Sequence, residues 1–282
     1  MRVFLTGATG YIGRVVVERL RGFGHQVLGL ARSNEAERKL TAAGAQAVCG
    51  DLRDTRAIAR AARECDAAIH LALEFSANAA QLDRAAVETV LEEYRLTARP
   101  FLYTSGIWVL GDTGGVEADE ETPVNPIPLV AWRPVHEQIV LHAQGARGVV
   151  VRPAMVYGRG GGVVGDLVRQ AREQGVVRIA GTGQNRWPFV HVDDLADLYV
   201  LALGAPAGSL YFASAGPSIA VRDVARAAAH GLPVESIPPE EARRTIGPVV
   251  DGLLLDQLVS GRRAVRELGW NPKAPSVLQE LA

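Results

Sequence analysis

The stretch Met1-Arg-Val-Phe-Leu-Thr6-Gly7-Ala-Thr-Gly10-Tyr-Ile-Gly13-Arg14 decides the fold of this chain. Its apolar run predicts a β-strand that ends where the glycines begin, and the residues after the glycines have the apolar spacing of a helix. Glycine tolerates the positive φ of a tight turn and lets a backbone approach a ligand closely. Because the N-terminus of a helix offers N–H groups and partial positive charge, the stretch predicts a binding site for the pyrophosphate of a dinucleotide.

Length and composition narrow the class of protein. The 282 residues suit one large α/β domain or a domain with a smaller lobe. With 30 basic and 31 acidic residues, no global charge favours nucleic acid or a membrane as a partner, so we expect a small-molecule substrate. Two cysteines cannot form a disulfide framework, and no apolar run is long enough to span a membrane. These features predict a cytoplasmic protein.

Strands and helices alternate through the first half of the chain. After the first strand and helix, we predict strands over 26–30, 45–48, 67–71, 101–104 and 148–151, with helices over 34–43, 55–63, 78–97 and 132–143. Apolar strands between helices predict an α/β fold with a Rossmann-type, doubly wound parallel sheet. We expect a dinucleotide-binding domain over 1–155 and a smaller C-terminal substrate lobe over 156–282, with 176–215 partly returning to the first domain.

Several landmarks along the chain resemble those of one family. They are Thr6-Gly-x-x-Gly-x-x-Gly13, Gly50-Asp51-Leu52, Tyr103-Thr-Ser-Gly106, Arg152-Pro-x-x-Val-Tyr157-Gly158, Phe189-Val-His191-Val-Asp193-Asp194 and Leu268-Gly-Trp270-x-Pro272. In this order they are similar to the extended short-chain dehydrogenases, in the epimerase/dehydratase-like branch. The resemblance implies a nicotinamide dinucleotide cofactor. It leaves reductases, epimerases, dehydratases and proteins that bind the cofactor without turnover as alternatives. A homodimer is usual in this family, although no residue here demands one.

The end of the second strand bears on the choice of cofactor. An acidic residue there would hold the ribose hydroxyls of NAD, but the chain has Arg32 and Ser33 instead. A guanidinium with a neighbouring hydroxyl suits a 2′-phosphate, as does Arg14 after the third glycine. We therefore favour NADP(H) over NAD(H). The alternative is that both arginines are solvated surface charges.

Further cofactor-binding residues follow from the glycine turn and from the resemblance. At the turn we expect Gly7, Thr9, Gly10, Tyr11, Ile12, Gly13 and Arg14 to contact the dinucleotide. The resemblance implies that Asp51 and Leu52 bracket the adenine, that His70, Leu71 and Ala72 border the nicotinamide ribose, and that Pro153 and Met155 lie on the carboxamide side. The alternative for His70 is a packed histidine whose ring nitrogens are satisfied.

The resembling family transfers protons through Tyr-x-x-x-Lys, in which the lysine lowers the pKa of the tyrosine. This chain has no such motif. In the corresponding segment, one register places Leu129 and Arg133 at these positions, and another places Trp132 and His136 there. All four share one face if the segment is helical, although Pro134 favours a helix that starts only near Trp132.

Three residues are candidates for the missing chemistry. Arg133 can hold ribose hydroxyls or a substrate oxyanion but cannot donate a proton near neutral pH. His136 can donate and accept a proton, or it can be an ordinary histidine of an amphipathic helix. Ser105 carries the hydroxyl nearest to where a carbonyl oxygen would lie, and its alternative role is a local bond to backbone. We therefore name Ser105 and His136 as candidate catalytic residues.

Two other segments limit the function. His191, Asp193 and Asp194 have the composition of a metal site, but we expect one aspartate to cap a helix and assign no metal. Sugar-nucleotide members of the family carry an arginine where this chain has Trp187, with Arg186 one position away. An indole offers one hydrogen-bond donor but no charge to a diphosphate, so a less charged substrate is favoured.

Three classes of function remain. The first is an NAD(P)H-dependent oxidoreductase that acts on a small carbonyl or related unsaturated compound and uses a non-standard proton donor. The second is a nucleotide-sugar epimerase or dehydratase, and the third is a non-catalytic sensor that binds NADP(H). The absence of the tyrosine counts against the second class and permits the third.

Overall fold

The computed structural model describes residues 1–74 and 76–282. Its strands are β1 (Arg2–Thr6), β2 (Gln26–Ala31), β3 (Gln46–Cys49), β4 (Ala67–His70), β5 (Pro100–Thr104), β6 (Glu117–Ala118), β7 (Arg147–Pro153), β8 (Met155–Tyr157), β9 (Val177–Ala180), β10 (Arg186–Trp187), β11 (Phe189–His191), β12 (Ser209–Ala213), β13 (Ile219–Ala220), β14 (Val234–Ile237) and β15 (Leu258–Val259). The helices are α1 (Tyr11–Gly22), α2 (Asn34–Ala42), α3 (Thr55–Arg63), α4 (Ala79–Tyr94), α5 (Arg133–Leu141), α6 (Gly162–Gln174), α7 (Val192–Ala202), α8 (Val221–Ala229), α9 (Pro239–Ile246), α10 (Val249–Leu253), α11 (Arg262–Leu268) and α12 (Val277–Glu280). Within the described residues, no helix has both the length and the apolar character needed to cross a bilayer.

The main sheet has seven strands in the order β12-β7-β5-β4-β1-β2-β3. The pairings of β1 with β2 and β4, of β2 with β3, and of β5 with β4 and β7 are parallel. From β1 the chain moves outward to β3 and then returns to β4 on the other side of β1. This reversal confirms the predicted doubly wound Rossmann-type sheet. In such sheets, ligands bind beyond the carboxyl ends of the strands at the point of reversal.

The apolar runs of the sequence form the centre of this sheet. Val3, Phe4 and Leu5 of β1 are fully buried, as are the three valines Val149–Val151 of β7. Strands that are covered on both faces by helices have no polar face, so their sequences are continuous apolar runs instead of alternating patterns. The regular succession of strands and helices in the first half of the chain reflects this arrangement.

The chain divides into two compact units that do not follow the sequence in one piece. The first comprises Met1–Ser105, Trp132–Val151 and Ala196–Tyr211, and the second comprises Gly106–Ala131, Arg152–Leu195 and Phe212–Ala282. The second unit has an apolar core of its own, which includes Phe189, Val224 and Trp187.

Candidate functional site

The glycine turn of the first unit has the close packing that its sequence predicts. Gly7 has φ +69°, and a Cβ atom on it would lie 2.7 Å from the backbone nitrogen of Ala72. A Cβ atom on Gly13 would lie 2.0 Å from the carbonyl oxygen of Gly7. That same oxygen accepts a hydrogen bond of 2.9 Å from the N–H of Gly10. Side chains at Gly7 and Gly13 are therefore incompatible with this turn.

The turn ends at the N-terminus of α1. Gly10 is the residue that precedes the helix, and it has no side chain with which to cap the first helical N–H groups. The first turn of α1 contains no acidic residue. It contains half-buried Tyr11 and Ile12, and exposed Arg14 lies 6.0 Å from the centre of the Tyr11 ring. Thr9 lies half-buried within the turn. This end of α1 combines partial positive charge with a full one, which suits a phosphate.

The end of β2 carries the pair on which the choice of cofactor depends. Arg32 is exposed, and no ion pair engages it in the part of the chain that the structure describes. Ser33 caps α2, because its hydroxyl oxygen accepts a hydrogen bond of 3.2 Å from the backbone N–H of Ala36. The hydroxyl proton of Ser33 remains available as a donor. Both side chains can thus still donate to an oxyanion.

The end of β3 is more heavily paired than its sequence suggests. Oδ1 of Asp51 accepts a hydrogen bond of 2.8 Å from the backbone N–H of Arg53, and Oδ2 lies 3.3 Å from the Arg53 guanidinium. That guanidinium also pairs with Glu74, while the side chain of Leu52 is buried. Asp51 is therefore part of a small ion cluster, and an adenine amino group would have to share its carboxylate with Arg53.

At the end of β4, His70 is a buried histidine with partners on both ring nitrogens. Its Nδ1 lies 2.7 Å from the hydroxyl of Thr6, and its Nε2 lies 3.2 Å from Oδ1 of Asp83. The Thr6 oxygen also accepts hydrogen bonds of 3.2 and 3.3 Å from the backbone N–H groups of Leu71 and Ala72. These bonds tie the glycine turn to the end of β4 and leave the His70 ring no further donor or acceptor.

Asp83 is a functional candidate that our sequence analysis missed. It lies on α4, is only 2% exposed, and its Oδ2 is 2.7 Å from Nδ1 of His136 and 2.9 Å from the hydroxyl of Tyr103, which donates to it. Burial alone would raise the pKa of Asp83, but the hydrogen bonds from His136 and His70 hold it well below its ordinary value. The carboxylate is therefore ionised inside the first unit.

A periodicity in α4 could have revealed this residue. The buried residues of the helix are Asp83, Ala86, Val87, Val90 and Tyr94. They follow the spacing of one helical face, so the sequence places a carboxylate on an otherwise apolar stripe. A buried carboxylate requires hydrogen-bond donors, and that requirement points to a polar network under the helix.

Helix α5 begins at Arg133, so it does not include position 129. Trp132 is its N-cap and Arg133 its first residue, while Leu129 lies outside it in the short 3₁₀ turn Pro128–Val130. Pro134 fits in the first turn, where its missing N–H costs no helical hydrogen bond. The shared face is thus limited to Trp132, Arg133 and His136.

These three side chains form a compact group in the first unit. The Arg133 guanidinium lies 4.6 Å from the centre of the Trp132 ring and donates a hydrogen bond of 2.8 Å to the carbonyl oxygen of Thr104. The rings of Trp132 and His136 are 4.9 Å apart. His136 is 4% exposed, and its hydrogen bond in the described chain uses Nδ1 and leaves Nε2 unused.

A tyrosine hydroxyl does lie near Arg133, although neither register of the 129–137 segment predicts it. Nη1 of Arg133 is 3.5 Å from the hydroxyl of Tyr103 on β5. Tyr103 is fully buried, and burial followed by the nearby Asp83 charge raises its phenolic pKa well above the ordinary value. In this structure the Tyr103 hydroxyl donates its hydrogen bond to Asp83.

Ser105 follows directly after β5. Its backbone N–H donates a hydrogen bond of 2.8 Å to the carbonyl oxygen of Val151. Its hydroxyl oxygen is buried and, among the described residues, has no hydrogen-bond partner. The expected alternative of a local bond to backbone is thus absent from the described hydrogen bonds. A buried hydroxyl without a protein partner is uncommon, so this hydroxyl is free to bond to a further group.

The second unit contains the remaining predicted cofactor residues. Pro153 is buried at the end of β7, and half-buried Met155 begins β8, where its N–H donates to the carbonyl oxygen of Pro188 at 3.0 Å. Trp187 is 4% exposed, and its indole N–H donates to the carbonyl oxygen of Leu253 at 3.0 Å. Trp187 is therefore a core residue of this unit.

Arg186 is neutralised within the second unit. Its Nε and Nη2 atoms lie 2.8 and 2.5 Å from the two carboxylate oxygens of Asp256. The segment that follows is also internally paired, because His191 lies 3.2 Å from Glu280. Asp194 accepts hydrogen bonds from backbone N–H groups, with the shortest, 2.8 Å, coming from Lys273. Asp194 thus holds a distant loop in addition to its place in the first turn of α7.

Comparison with known proteins identifies relatives along the whole chain. The model of the NAD dependent epimerase/dehydratase family matches residues 3–211. An uncharacterized protein of Schizosaccharomyces pombe is 37% identical over 100% of this chain and 98% of its own length. A 4-hydroxy-2-methyl-3-oxo-4-farnesyl-3,4-dihydroquinoline-1-oxide ketoreductase of Stigmatella aurantiaca is 31% identical over 79% of this chain and 70% of its own. The crystal structure of UDP-glucose 4-epimerase from Thermus thermophilus with NAD is similar in fold, with a TM-score of 0.82, 23% identity, and coverage of 99% of this chain and 96% of that one.

Proposed function

Since the chain belongs to the NAD dependent epimerase/dehydratase family, we propose that it is an NADP(H)-dependent oxidoreductase that acts on a small, weakly charged carbonyl compound. The observation that carries this proposal is the buried hydroxyl of Ser105, which has no partner in the described part of the chain. A carbonyl oxygen would satisfy this hydroxyl and would accept its hydrogen bond as negative charge develops during reduction. The nicotinamide supplies the hydride when it is bound.

The cofactor residues argue for a phosphorylated dinucleotide. Arg32 has no carboxylate partner among the described residues, and the adjacent Ser33 hydroxyl still has a proton to donate. Arg14, at the start of α1, adds a second exposed cation. Charge-assisted hydrogen bonds to one phosphate contribute about 1.5–3 kcal/mol each, which corresponds to roughly 10- to 150-fold in affinity. These groups would hold the 2′-phosphate that distinguishes NADP(H) from NAD(H).

The proposed proton donor is His136. Its Nδ1 bonds to Asp83 at 2.7 Å, so Nε2 is the atom that can exchange a proton with substrate. A histidine in this role replaces the phenol that the sequence lacks. Arg133, whose guanidinium also binds the carbonyl of Thr104, would support the ribose or the developing oxyanion with its remaining N–H groups.

The substrate side argues against a nucleotide diphosphate. The two groups nearest to the position of the family arginine are Arg186, which is paired in two places with Asp256, and Trp187, which is buried in the core of the second unit. Neither offers an unpaired cation to a diphosphate. The name of the Stigmatella aurantiaca relative, a ketoreductase, is consistent with a carbonyl substrate.

The experiment measures NADPH consumption with a panel of ketones, aldehydes and quinones, together with fluorescence titration of NADPH and NADH. We expect turnover of at least one carbonyl compound and tighter binding of NADPH. Ser105→Ala should lower kcat by about 10- to 100-fold without changing the Kd of NADPH, because a lost donor to an oxyanion costs a few kcal/mol at the transition state only. Ser209→Ala, at a serine that bonds to the carbonyl of Pro206, is the matched control.

A variant of Arg32 tests the preference for NADPH separately from turnover. Arg32→Asp should weaken NADPH binding by at least tenfold, whereas Arg38→Asp makes the same charge change at an exposed position of α2 and should have little effect. Equal or tighter binding of NADH by the wild type would refute the preference for NADPH. Binding of NADPH with no turnover across the panel would identify a sensor, and retained cofactor with turnover of a UDP-sugar would identify an epimerase.

A further inference from the structure

The polar network under α4 has Asp83 at its centre. Its two carboxylate oxygens meet three side chains: His70 at 3.2 Å on Oδ1, and His136 at 2.7 Å and Tyr103 at 2.9 Å on Oδ2. All are buried, and the Arg133 guanidinium lies 3.5 Å from the Tyr103 hydroxyl. The network lies entirely in the first unit.

The hydrogen atoms of this network can be assigned from the chemistry of the groups. An ionised carboxylate only accepts hydrogen bonds, so His136 must carry a proton on Nδ1 and His70 must carry one on Nε2. Neutral His70 then has a lone pair on Nδ1, which accepts from the Thr6 hydroxyl at 2.7 Å. The Thr6 oxygen in turn accepts from the N–H groups of Leu71 and Ala72. Each hydrogen bond in the series has one donor and one acceptor.

We propose that Asp83 is a positioning residue that fixes His136 as its Nδ1–H tautomer, so that Nε2 alone exchanges a proton, and that links this ring through His70 to the glycine turn. The proposal rests on the proposed function, in which His136 is the proton donor. When His136 gives its Nε2 proton to the substrate oxygen, the ring becomes neutral. It keeps its Nδ1 proton, which stays hydrogen-bonded to the Asp83 carboxylate. When Nε2 is protonated again from water, the imidazolium charge is balanced by the carboxylate.

The buried charge itself needs an explanation of this kind. Replacing a buried ion pair by apolar side chains of similar volume is often neutral or stabilising, so packing alone does not account for a carboxylate at position 83. An apolar residue at this position of α4 would continue the stripe formed by Ala86, Val87 and Val90. What the carboxylate provides, and an apolar residue cannot, is one defined orientation and tautomer for each of two imidazole rings.

The first test needs no variant and no substrate. Nitrogen-15 NMR of the histidine rings, recorded near pH 9, which is above the ordinary imidazole pKa of about 6.5, reports which nitrogen carries the proton. His136 should be the Nδ1–H tautomer and His70 the Nε2–H tautomer, assigned with the His136→Gln and His70→Gln variants. An Nε2–H tautomer for His136 would overturn the proposal whatever activity the protein has.

The second test uses Asp83→Asn, which keeps the volume and removes the charge. We expect kcat to fall by at least about tenfold, the alkaline limb of the kcat profile to move to lower pH, and the Kd of NADPH to stay within twofold. A merely structural role would not move the pH profile. Wild-type kcat and an unchanged pH profile in this variant would also overturn the proposal.

Two controls separate this effect from general disturbance of the site. Tyr103→Phe removes the third donor to Asp83 but keeps the carboxylate, so both imidazole rings should keep the tautomers of the wild type. Glu88→Gln removes one charge from an exposed position of the same helix. The predicted tautomers without any carbonyl turnover would refute the proposed function while supporting the role of Asp83 in fixing the ring.

Discussion

Gly13→Ala is the substitution whose effect the structure defines most sharply. Within a helix, alanine is ordinarily more favourable than glycine by about 1 kcal/mol. Gly13 lies in the first turn of α1, but a Cβ atom there would be 2.0 Å from the carbonyl oxygen of Gly7. Non-bonded carbon and oxygen atoms need more than about 3 Å, so the turn would have to open by about 1 Å or more.

The turn has little room for such a movement. The Gly7 oxygen is held by the N–H of Gly10 at 2.9 Å, and a Cβ position on Gly7 already lies 2.7 Å from the backbone nitrogen of Ala72. Overpacking of this kind costs typically about 1–3 kcal/mol, which exceeds the gain in helix propensity. Because the displaced atoms are those that would cradle the pyrophosphate, the loss should affect cofactor affinity as well as stability.

The assay combines urea unfolding with fluorescence titration of NADPH. We expect Gly13→Ala to lower the unfolding midpoint and to weaken NADPH binding by at least about tenfold. Gly22→Ala is the matched control, because Gly22 is the last residue of the same helix and a Cβ atom there meets nothing within 4 Å. This control should leave NADPH binding unchanged and raise stability by up to about 1 kcal/mol. Wild-type binding and stability in Gly13→Ala would refute the reasoning.

Two further predictions concern titratable groups. Cys65 is buried, which raises the pKa of its thiol to about 11, and Cys49 is exposed. A thiol reagent at neutral pH should therefore modify Cys49 quickly and Cys65 only on unfolding, and rapid modification of both thiols would contradict this. The pKa of Asp83 is lowered on folding, so its contribution to stability is complete above its unfolded value of about 3.9 and is lost as the pH falls below it. The unfolding midpoint of the wild type should therefore fall more steeply below pH 4 than that of Asp83→Asn, and equal slopes would contradict the assignment.

The sheet is predictable from the sequence because each of its central strands is a continuous run of apolar residues. The apolar runs that become β1, β4, β5 and β7 are covered on both faces, and the glycines mark the one turn that must pack tightly. Pro134 predicts the start of α5 near Trp132, and Trp132 is its N-cap, whereas the spacing of Leu129 to His136 would also fit one longer helix that the separate 3₁₀ turn at Leu129 excludes. Spacing alone does not show where backbone hydrogen bonding changes from one helix type to another.

The site was harder to predict, because its polar groups come from four elements. A Tyr-x-x-x-Lys motif places the proton donor and its activating charge one turn apart on one helix, so the period of that helix fixes their geometry. Here the imidazole of His136 is on α5 and its counter-charge, Asp83, is on α4. Their distance of 2.7 Å depends on how the two helices pack, and no local spacing in the sequence encodes it.

The placement of Asp83 on α4 and of His136 on α5 connects His136 to the glycine turn. Asp83 accepts a hydrogen bond from His70 of β4, and His70 bonds to Thr6 immediately before the glycine turn. We therefore expect a displacement of that turn to reach the carboxylate that bonds to His136. In a Tyr-x-x-x-Lys enzyme the donor pair is contained in one helix and can keep its geometry when the turn moves. In this chain the glycine turn and His136, the proposed proton donor, share one hydrogen-bonded network, so we expect Gly13→Ala to reduce kcat at saturating NADPH as well as affinity.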